Sequence, residues 1–258
     1  MPAPVNSFKK ALKAGEMQFG CWLALADAFP AEMMGQAGFD WVLIDGEHAP
    51  NDLRSTLAQL QVITATDAHA VVRVPVGETY LLKQMLDAGA QSILVPMVES
   101  ADQARQLVRD VTYPPHGDRG VGYALGRASR FATIADYGIT ADAQICLLVQ
   151  VENLRGLAAL DDILAVEGVD GVFIGPADLA ADMGHLSDAD HPDVQAAIMD
   201  ALRRIRAAGK APGILSTRDG MTNDAIAAGA QFVAVGADVL LLGNAARALA
   251  EKWQATKL

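Results

Sequence analysis

Four polar clusters each follow a short apolar run that is typical of a β-strand, and their residue types suit chemistry next to a ketone. They are the Asp-Gly-Glu-His sequence of residues 45–48, Arg73, the pair Gln150 and Glu152, and Asp178. If the strands are parallel, residues at their C-terminal ends converge in space although they are distant in sequence. The set offers two carboxylates for a metal ion, a guanidinium for an anionic substrate and a histidine for proton transfer. It predicts a metal-dependent site that makes or breaks a carbon–carbon bond.

Glu152 and Asp178 are the predicted metal ligands. An oxygen-only site with few protein ligands suits Mg²⁺ or Mn²⁺ and leaves positions for water and substrate. Gln150 and Glu152 are two residues apart and face the same side of one strand, where burial without a ligand or partner is costly. The alternative for Asp178 is that it caps the following helix, because Asp is a preferred N-cap residue.

Arg73 and His48 are the predicted catalytic groups. The fork of Arg73 would hold a carboxylate or an enolate oxygen, and the alternative is a structural ion pair with a neighbour such as Asp45. His48 would transfer the hydroxyl proton of an aldol, with Asp45 or Glu47 orienting its ring. Taken alone, a histidine in a loop between a strand and a helix is more often structural.

The positions of the lysines argue against a Schiff-base mechanism, which needs a buried lysine facing the substrate. Lys83 lies on a predicted helix, Lys210 precedes its strand, and the other lysines are near the ends of the chain. A metal-dependent route therefore fits this sequence better.

The composition narrows the class of protein. The net charge of -11 argues against nucleic acid, which demands clustered Lys and Arg. No apolar run reaches the roughly 18 residues that a membrane helix needs, and the N-terminus shows no signal peptide. Cys21 and Cys146 lie in apolar runs, which favours buried free thiols over a disulfide. We therefore expect a cytoplasmic protein.

Strand-like and helix-like segments alternate along the whole chain, which we interpret as a single domain covering residues 1–258. Most strand-like runs are continuously apolar, as in a buried parallel sheet. Eight such units in 258 residues predict a (β/α)8 barrel, and a doubly wound open sheet is the alternative. Residues 113–131 form a long irregular stretch that we expect to be a lid or part of a subunit contact. The predicted strands are 19–24, 41–44, 70–74, 92–96, 145–151, 171–174, 213–215 and 232–235.

Several segments in order resemble one known family. They are Asp-Gly-Glu-His at 45–48, Leu-Val-Pro-Met-Val at 94–98, Tyr-Pro-Pro-x-Gly-x-Arg-Gly at 113–120, Val-Gln-Val-Glu at 149–152 and Gly-Val-Phe-Ile-Gly-Pro-Ala-Asp at 171–178. With these segments the chain resembles the metal-dependent, class II pyruvate aldolases of the HpcH/HpaI family, from about Gly20 to the C-terminal helix.

This resemblance implies a (β/α)8 barrel with a domain-swapped C-terminal helix, assembled as a homo-hexamer. It implies a divalent metal ion, Mg²⁺, Mn²⁺ or Co²⁺, on Glu152 and Asp178. It also implies that Arg73 stabilises an enolate and that His48, supported by Asp45, is the acid–base group, with Asp87 reaching it from a neighbouring subunit. The residues implied to contact the substrate are Arg73, Gln150, Pro176, Ala177 and Leu215, of which Leu215 borders the aldehyde pocket.

The expected reaction is the reversible cleavage of a 4-hydroxy-2-oxo acid, such as 4-hydroxy-2-oxoheptanedioate, to pyruvate and an aldehyde through a metal-bound pyruvate enolate. One alternative is a related lyase acting on acyl-CoA thioesters, which needs a basic groove that this acidic chain does not clearly show. The other is a non-catalytic barrel that binds 2-oxo acids, although a pure binder needs no base such as His48.

Overall fold

Eight parallel strands form a closed barrel in the computed structural model, which describes residues 1–257. Strands that follow each other in the sequence are neighbours in the barrel, and β8 closes the barrel by pairing with β1. The predicted (β/α)8 barrel is confirmed, and the open doubly wound sheet is wrong. The strands are β1 Gln18–Leu23, β2 Trp41–Asp45, β3 His69–Arg73, β4 Ser92–Val95, β5 Cys146–Val151, β6 Gly171–Ile174, β7 Ala211–Leu215 and β8 Phe232–Ala237.

Helices surround the barrel and connect successive strands. Within residues 1–257, no helix combines the length and the apolar character needed to cross a membrane. The α-helices are α1 Ser7–Ala14, α2 Ala28–Gly35, α3 Leu53–Ile63, α4 Thr79–Ala88, α5 Ala101–Val111, α6 Tyr137–Thr140, α7 Leu154–Ala158, α8 Leu160–Leu164, α9 Pro176–Asp182, α10 Pro192–Ala207, α11 Asp219–Ala227 and α12 Asp238–Gln254.

The strands carry two apolar surfaces, as a fully buried parallel sheet requires. The outward side packs on the helices, with residues such as Val72, Ile93 and Val149 fully buried there. The inward side forms a second cluster inside the barrel, rich in aromatic rings. That cluster contains Trp22, Trp41, Leu43, Val71, Leu94, Leu148, Phe173 and Phe232.

Two glycines make room for these rings. A Cβ at Gly20 would lie 2.2 Å from the Trp41 ring, and one at Gly213 would lie 2.1 Å from the Phe232 ring. Helix α1 closes the N-terminal end of the barrel, because its Phe8 joins the same cluster and contacts Trp41 and Phe232. The C-terminal end is therefore the open end, where loops can hold a site.

The irregular stretch 113–131 contains two short 3-10 helices, Tyr123–Leu125 and Arg127–Ser129. Tyr113 is buried in a small cluster of its own with Ile134 and Tyr137, against which Tyr123 packs. Arg119 and Ser129 are also buried, whereas Val121 (68%), Leu125 (89%) and Phe131 (69%) are exposed. The stretch is thus a packed unit on the outside of the barrel.

Helix α12 begins directly after β8 and has little contact with the rest of the chain. In this helix, all of which the structure describes, Asp238 is the one buried residue. Its carboxylate accepts hydrogen bonds from the backbone amides of Ala24 (2.8 Å) and Leu25 (3.2 Å), which follow β1. Leu240, Leu241, Leu242, Leu249 and Trp253 are all exposed.

Candidate active site

The predicted site residues lie at the C-terminal end of the barrel. Asp45 is the last residue of β2 and pairs in register with Arg73, the last residue of β3. Glu152 follows the end of β5, and β6 leads into α9, whose first turn contains Asp178. Parallel strands bring these ends together, as the sequence predicted.

Arg73 is anchored by two carboxylates. Its Nε and Nη2 atoms donate to Asp45 Oδ1 (2.8 Å) and Oδ2 (2.7 Å), and its Nη1 atom lies 2.9 Å from Glu47 Oε2. The guanidinium also lies 5.4 Å from the ring centroid of Trp22 and is almost fully buried. The ion pair with Asp45, considered from the sequence as an alternative, is therefore present at the site.

Asp45 shapes the loop that carries His48. Its Oδ1 atom accepts hydrogen bonds from the backbone amides of Glu47 (3.0 Å) and His48 (3.4 Å). Burial opposes its negative charge, but the hydrogen bonds and the positive charge of Arg73 lower the pKa of Asp45 overall. This carboxylate stays ionised and holds both the loop and the guanidinium.

His48 projects from this loop toward solvent. Its side chain is 66% exposed, and its Nε2 atom lies 3.9 Å from Glu47 Oε1. Asp45 contacts the backbone amide of His48, whereas the sequence predicted that Asp45 or Glu47 orients the imidazole ring. The ring is thus free to meet a substrate or a group from outside the chain.

Glu152 is a buried carboxylate fixed by two neighbours. Its Oε1 atom accepts a hydrogen bond from the backbone amide of Met97 (2.9 Å), and its Oε2 atom accepts one from the side-chain amide of Gln150. Met97 has a φ of 54°, an unusual conformation for a residue with a side chain. Backbone strain of this kind is found at functional sites. Burial raises the pKa of Glu152, and the charge of Asp178 raises it further.

The residues around Glu152 fit a divalent metal ion. Gln150 Oε1 is buried and has no hydrogen-bond partner among residues 1–257, which leaves a free acceptor on the side chain that contacts Glu152. Helix α9 follows Gly175 and, over these described residues, shows no side-chain capping bond, so Asp178 does not act as the helix cap considered from the sequence. Two carboxylates and an amide oxygen form the hard oxygen donor set that Mg²⁺ or Mn²⁺ prefers.

The structure brings most of the predicted residues together and places one elsewhere. Pro176 and Ala177 form the first turn of α9 beside Asp178, and Leu215 ends β7 and packs against the interior cluster. Asp87 lies near the end of α4, outside the barrel, where its Oδ1 atom is 3.0 Å from Arg119 Nη2.

Three participants were not predicted in these roles. Glu47 binds Arg73, and its position next to His48 was the available signal, although the sequence suggested it only as a support for the ring. Gly175 permits the close approach of Glu152, because a Cβ there would lie 2.4 Å from Glu152 Oε2. The backbone amide of Met97 carries no side-chain signature and could not be found from the sequence.

Lys210 and His69 lie away from the C-terminal ends of the strands. Lys210 Nζ donates to the carbonyl oxygens of Val166 (3.1 Å) and Val169 (2.7 Å), away from the strand C-termini. His69 begins β3 at the opposite end of the barrel.

A second group of possible metal ligands, His185, His191 and Asp193, has its ligand atoms within 4.8 Å of one another. It differs from the predicted pair of Glu152 and Asp178. His191 Nδ1 accepts the backbone amide of Asp193 at the start of α10, so this group is explained as a helix cap.

The fold and the chemistry of the strand ends define an enzyme of the carbon–carbon lyase class. The model of the HpcH/HpaI aldolase/citrate lyase family matches residues 18–245, and the chain belongs to this family. The resemblance stated from the sequence is thereby confirmed. The family generally depends on a divalent metal ion, and its reactions imply small-molecule substrates.

Individual relatives cover nearly the whole chain. A hydroxypyruvate/pyruvate aldolase of Roseobacter denitrificans is 59% identical over 98% of this chain and 99% of its own length. A 4-hydroxy-2-oxo-heptane-1,7-dioate aldolase of Escherichia coli is 53% identical over 97% of this chain and 95% of its own. A crystal structure of a family protein from Burkholderia cenocepacia has a TM-score of 0.93 at 41% identity, covering 97% of this chain and all of that one.

Proposed function

We propose that this enzyme cleaves 4-hydroxy-2-oxo acids reversibly to pyruvate and an aldehyde. The observation that carries the proposal is the buried Glu152 carboxylate beside Gln150 Oε1, which has no partner in the described part of the chain, at the same barrel end as Arg73 and His48. The names of the two relatives, both aldolases at more than half identity, support this reaction.

Glu152 and Asp178 would hold the divalent metal ion, with Mg²⁺, Mn²⁺ and Co²⁺ as the candidates. When bound, the ion would act as a Lewis acid toward the 2-oxo acid and favour its enolate. Asp178 is exposed at the mouth of the barrel while Glu152 is buried, so the pair leaves open the side that faces solvent.

The other side chains bind the substrate and move the proton. Arg73 directs its buried guanidinium toward the oxygen on which negative charge develops, and the Gln150 amide and the first turn of α9 at Pro176 and Ala177 border the pyruvyl part. His48 accepts the proton of the C4 hydroxyl as the C3–C4 bond breaks, and it returns the proton in the synthetic direction.

The loop after β7 bears on the choice of aldehyde. Leu215 is followed by Ser216, Thr217 and Arg218, which give this border a polar character. Ser216 is buried, and its hydroxyl is 3.0 Å from that of Thr222. We propose a polar acceptor aldehyde, with pyruvate or its 3-hydroxy analogue as the donor, as in the name of the Roseobacter relative.

We further propose a homo-hexamer in which α12 packs on a neighbouring subunit. The exposed leucines of α12 and its single buried residue support this arrangement, because a helix with an apolar face needs a partner surface. A cytoplasmic location is supported by the cysteines, since Cys21 and Cys146 are buried free thiols and form no disulfide.

The test is pyruvate release from 4-hydroxy-2-oxoheptanedioate by enzyme stripped with EDTA, with and without added Mg²⁺, Mn²⁺ or Co²⁺. We expect release that depends on added metal in the parent enzyme and is lost in Asp178→Asn. The matched control is Asp102→Asn, which likewise lies in the first turn of a helix, α5, and whose side chain is 94% exposed. Pyruvate release that survives EDTA treatment would overturn the assignment of the metal site. Activity on acyl-CoA thioesters with none on the 2-oxo acid would overturn the proposed reaction.

A further inference from the structure

Arg119 is a charged side chain with no exposed surface. It lies in the stretch 113–131, and its guanidinium stacks 4.3 Å from the ring centroid of Tyr113. Its Nη2 atom donates to Asp87 Oδ1 at 3.0 Å. Its Nε and Nη1 atoms have no hydrogen-bond partner in the described part of the chain. A buried charge with so few partners is costly, and an apolar residue would fill the same space at less cost.

Asp87 is the carboxylate that this arrangement holds in place. It lies in the last turn of α4, where a negative charge is unfavourable to the helix dipole. The glycine-rich part of the stretch 113–131 lies against it, since a Cβ at Gly126 would be 3.2 Å from the Asp87 carbonyl oxygen. The Asp87 side chain nevertheless keeps 26% of its surface exposed. Arg119 therefore fixes the Asp87 Oδ1 atom, and the Asp87 side chain remains partly exposed to solvent.

His48 has the complementary feature. Its ring is exposed, and the carboxylate near it, Glu47, is already engaged with Arg73. The orientation and tautomer of an imidazole that moves protons are set by a hydrogen-bond acceptor at its second nitrogen, often a carboxylate. The family resemblance implies that Asp87 of a neighbouring subunit plays this part, and the inference that follows rests on that arrangement within the proposed homo-hexamer.

We propose that Arg119 is a positioning residue, which holds the Asp87 carboxylate at the subunit boundary in the orientation needed by His48 of a second copy of the chain. The planar fork and the stacking on Tyr113 fix the plane of the guanidinium, and the charged hydrogen bond fixes one carboxylate oxygen. Arg119 acts on the neighbour's site and leaves its own subunit's metal and substrate groups untouched.

The test is complementation between inactive subunits. Two differently tagged variants are co-expressed and the mixed oligomers are purified through both tags. In a mixture of Arg119→Met and His48→Ala, His48 of the first subunit can meet an intact Asp87 and Arg119 of the second. Random mixing then restores about one site in four, although each variant alone is nearly inactive. If Arg119 supported its own subunit's site, this mixture would stay inactive and the proposal would fail.

Two further mixtures separate this inference from the proposed function. Asp87→Asn with His48→Ala tests the shared site itself, and its failure to recover activity would overturn the trans arrangement. Recovery there, with no recovery for Arg119→Met, would overturn the role of Arg119 alone. Arg119→Met with Asp87→Asn should recover nothing, because both changes remove the same carboxylate support.

Kinetics of single variants provide a second measurement that does not need mixing. Arg119→Lys should lower kcat with little change in KM, and it should move the acid limb of the pH profile in the same direction as Asp87→Asn. The double variant should be no slower than Asp87→Asn, and additive losses would contradict the proposal.

The matched control for these kinetics is Arg127→Lys. Arg127 lies in the same stretch and donates to the Ala88 carbonyl oxygen at the end of α4 (3.2 Å), next to Asp87. Arg127→Lys should leave the acid limb of the pH profile where it is in the parent enzyme. A shift in the profile equal to that of Arg119→Lys would show a general effect of the loop and overturn the specific role.

Discussion

At the scale of single residues, the guanidinium of Arg73 is immobilised before any substrate is present. Asp45 holds two of its nitrogens and Glu47 the third, so the cost of ordering a long side chain is met during folding. A donor that is fixed in advance stabilises developing charge without reorganisation during the reaction.

Replacing Arg73 by Lys should therefore be severe although the charge is kept. We expect kcat to fall about 10²-fold or more, because an ammonium cannot bind Asp45 through two parallel bonds and still face the substrate. Arg109→Lys is the control, since Arg109 makes the same two-bond contact with Asp118 on the surface, at 2.8 Å for each bond. Steady-state kinetics and the melting temperature are measured for both variants. Equal losses of kcat in Arg73→Lys and Arg109→Lys would refute the catalytic assignment of Arg73.

His48→Ala should remove the proton-transfer group and leave the fold intact. We expect kcat to fall about 10²- to 10⁴-fold, the usual contribution of general acid–base catalysis. The melting temperature should hardly change, because the ring is largely exposed. The exposed His116→Ala serves as the control. Near-normal cleavage by His48→Ala would show that another group moves the proton.

Gly175→Ala should weaken metal binding. Its new Cβ would lie 2.4 Å from Glu152 Oε2, so the carboxylate must move away from its bonds with Gln150 and Met97. We expect the metal concentration for half-maximal activity to rise at least about 10-fold, as for other groups that orient metal ligands. Gly220→Ala is the control, since a Cβ there has no atom within 4 Å among the described residues. Unchanged metal dependence would contradict this role of Gly175.

The charged and amide side chains of the site were predictable from the sequence. The groups that hold these side chains in position were harder to predict. Asp45, Arg73, Gln150 and Glu152 follow apolar runs, and that placement located them at one barrel end. The Met97 amide and the space at Gly175 depend on the three-dimensional approach of β4, β5 and β6, which no local pattern records.

At the scale of elements, the continuous apolar runs predicted all eight strands, and the errors concern their ends. The sequence placed the start of β7 at Gly213, two residues late. The structure begins β7 at Ala211, and the Pro212 carbonyl accepts the backbone amide of Gln231 at 2.8 Å. Proline is tolerated in the first residues of a strand, where its missing N–H is not needed.

The N-terminal end of the barrel should make stability sensitive to acid. His69 begins β3, stacks on Phe8 and lies 2.9 Å from the Ser92 hydroxyl, and burial lowers its pKa to about 4 from 6.5. The unfolded chain binds a proton at this histidine below about pH 6.5 and the folded chain does not until about pH 4. Stability is therefore lost as the pH falls through this window, by about 2 kcal/mol at pH 4.5.

The measurement is urea unfolding of the parent and of His69→Gln at pH 7 and pH 4.5. We expect the loss of unfolding free energy between the two pH values to be smaller in His69→Gln by about 2 kcal/mol. His116→Gln should behave like the parent. Identical pH dependence in the parent and in His69→Gln would show that His69 is not the group responsible.

At the scale of the whole molecule, α12 is the element that the single chain leaves incomplete. Its exposed apolar side chains have no counterpart in an ordinary surface helix, which turns its apolar side to the core. The family resemblance implied both α12 and its packing on a neighbouring subunit, and the contacts of α12 within the chain are few.

Leu242→Glu should weaken assembly. A charge placed on the apolar side of α12 would be buried without a partner in the proposed contact, and we expect a smaller species at micromolar concentration by light scattering. Leu186→Glu is the control, because Leu186 is 78% exposed and lies in the loop before α10. A hexamer that persists in Leu242→Glu would place the contact elsewhere.

The hydrogen bonds of Asp238 have a consequence for the behaviour of the enzyme in dilute solution. They tie the first residue of α12 to the backbone that follows β1, at the rim of the barrel mouth. Any force that assembly exerts on α12 is thereby transmitted to the rim that surrounds the substrate. Specific activity should then fall when dilution separates the subunits, at concentrations where the chain is still folded. The specific activity measured in an assay therefore depends on the enzyme concentration.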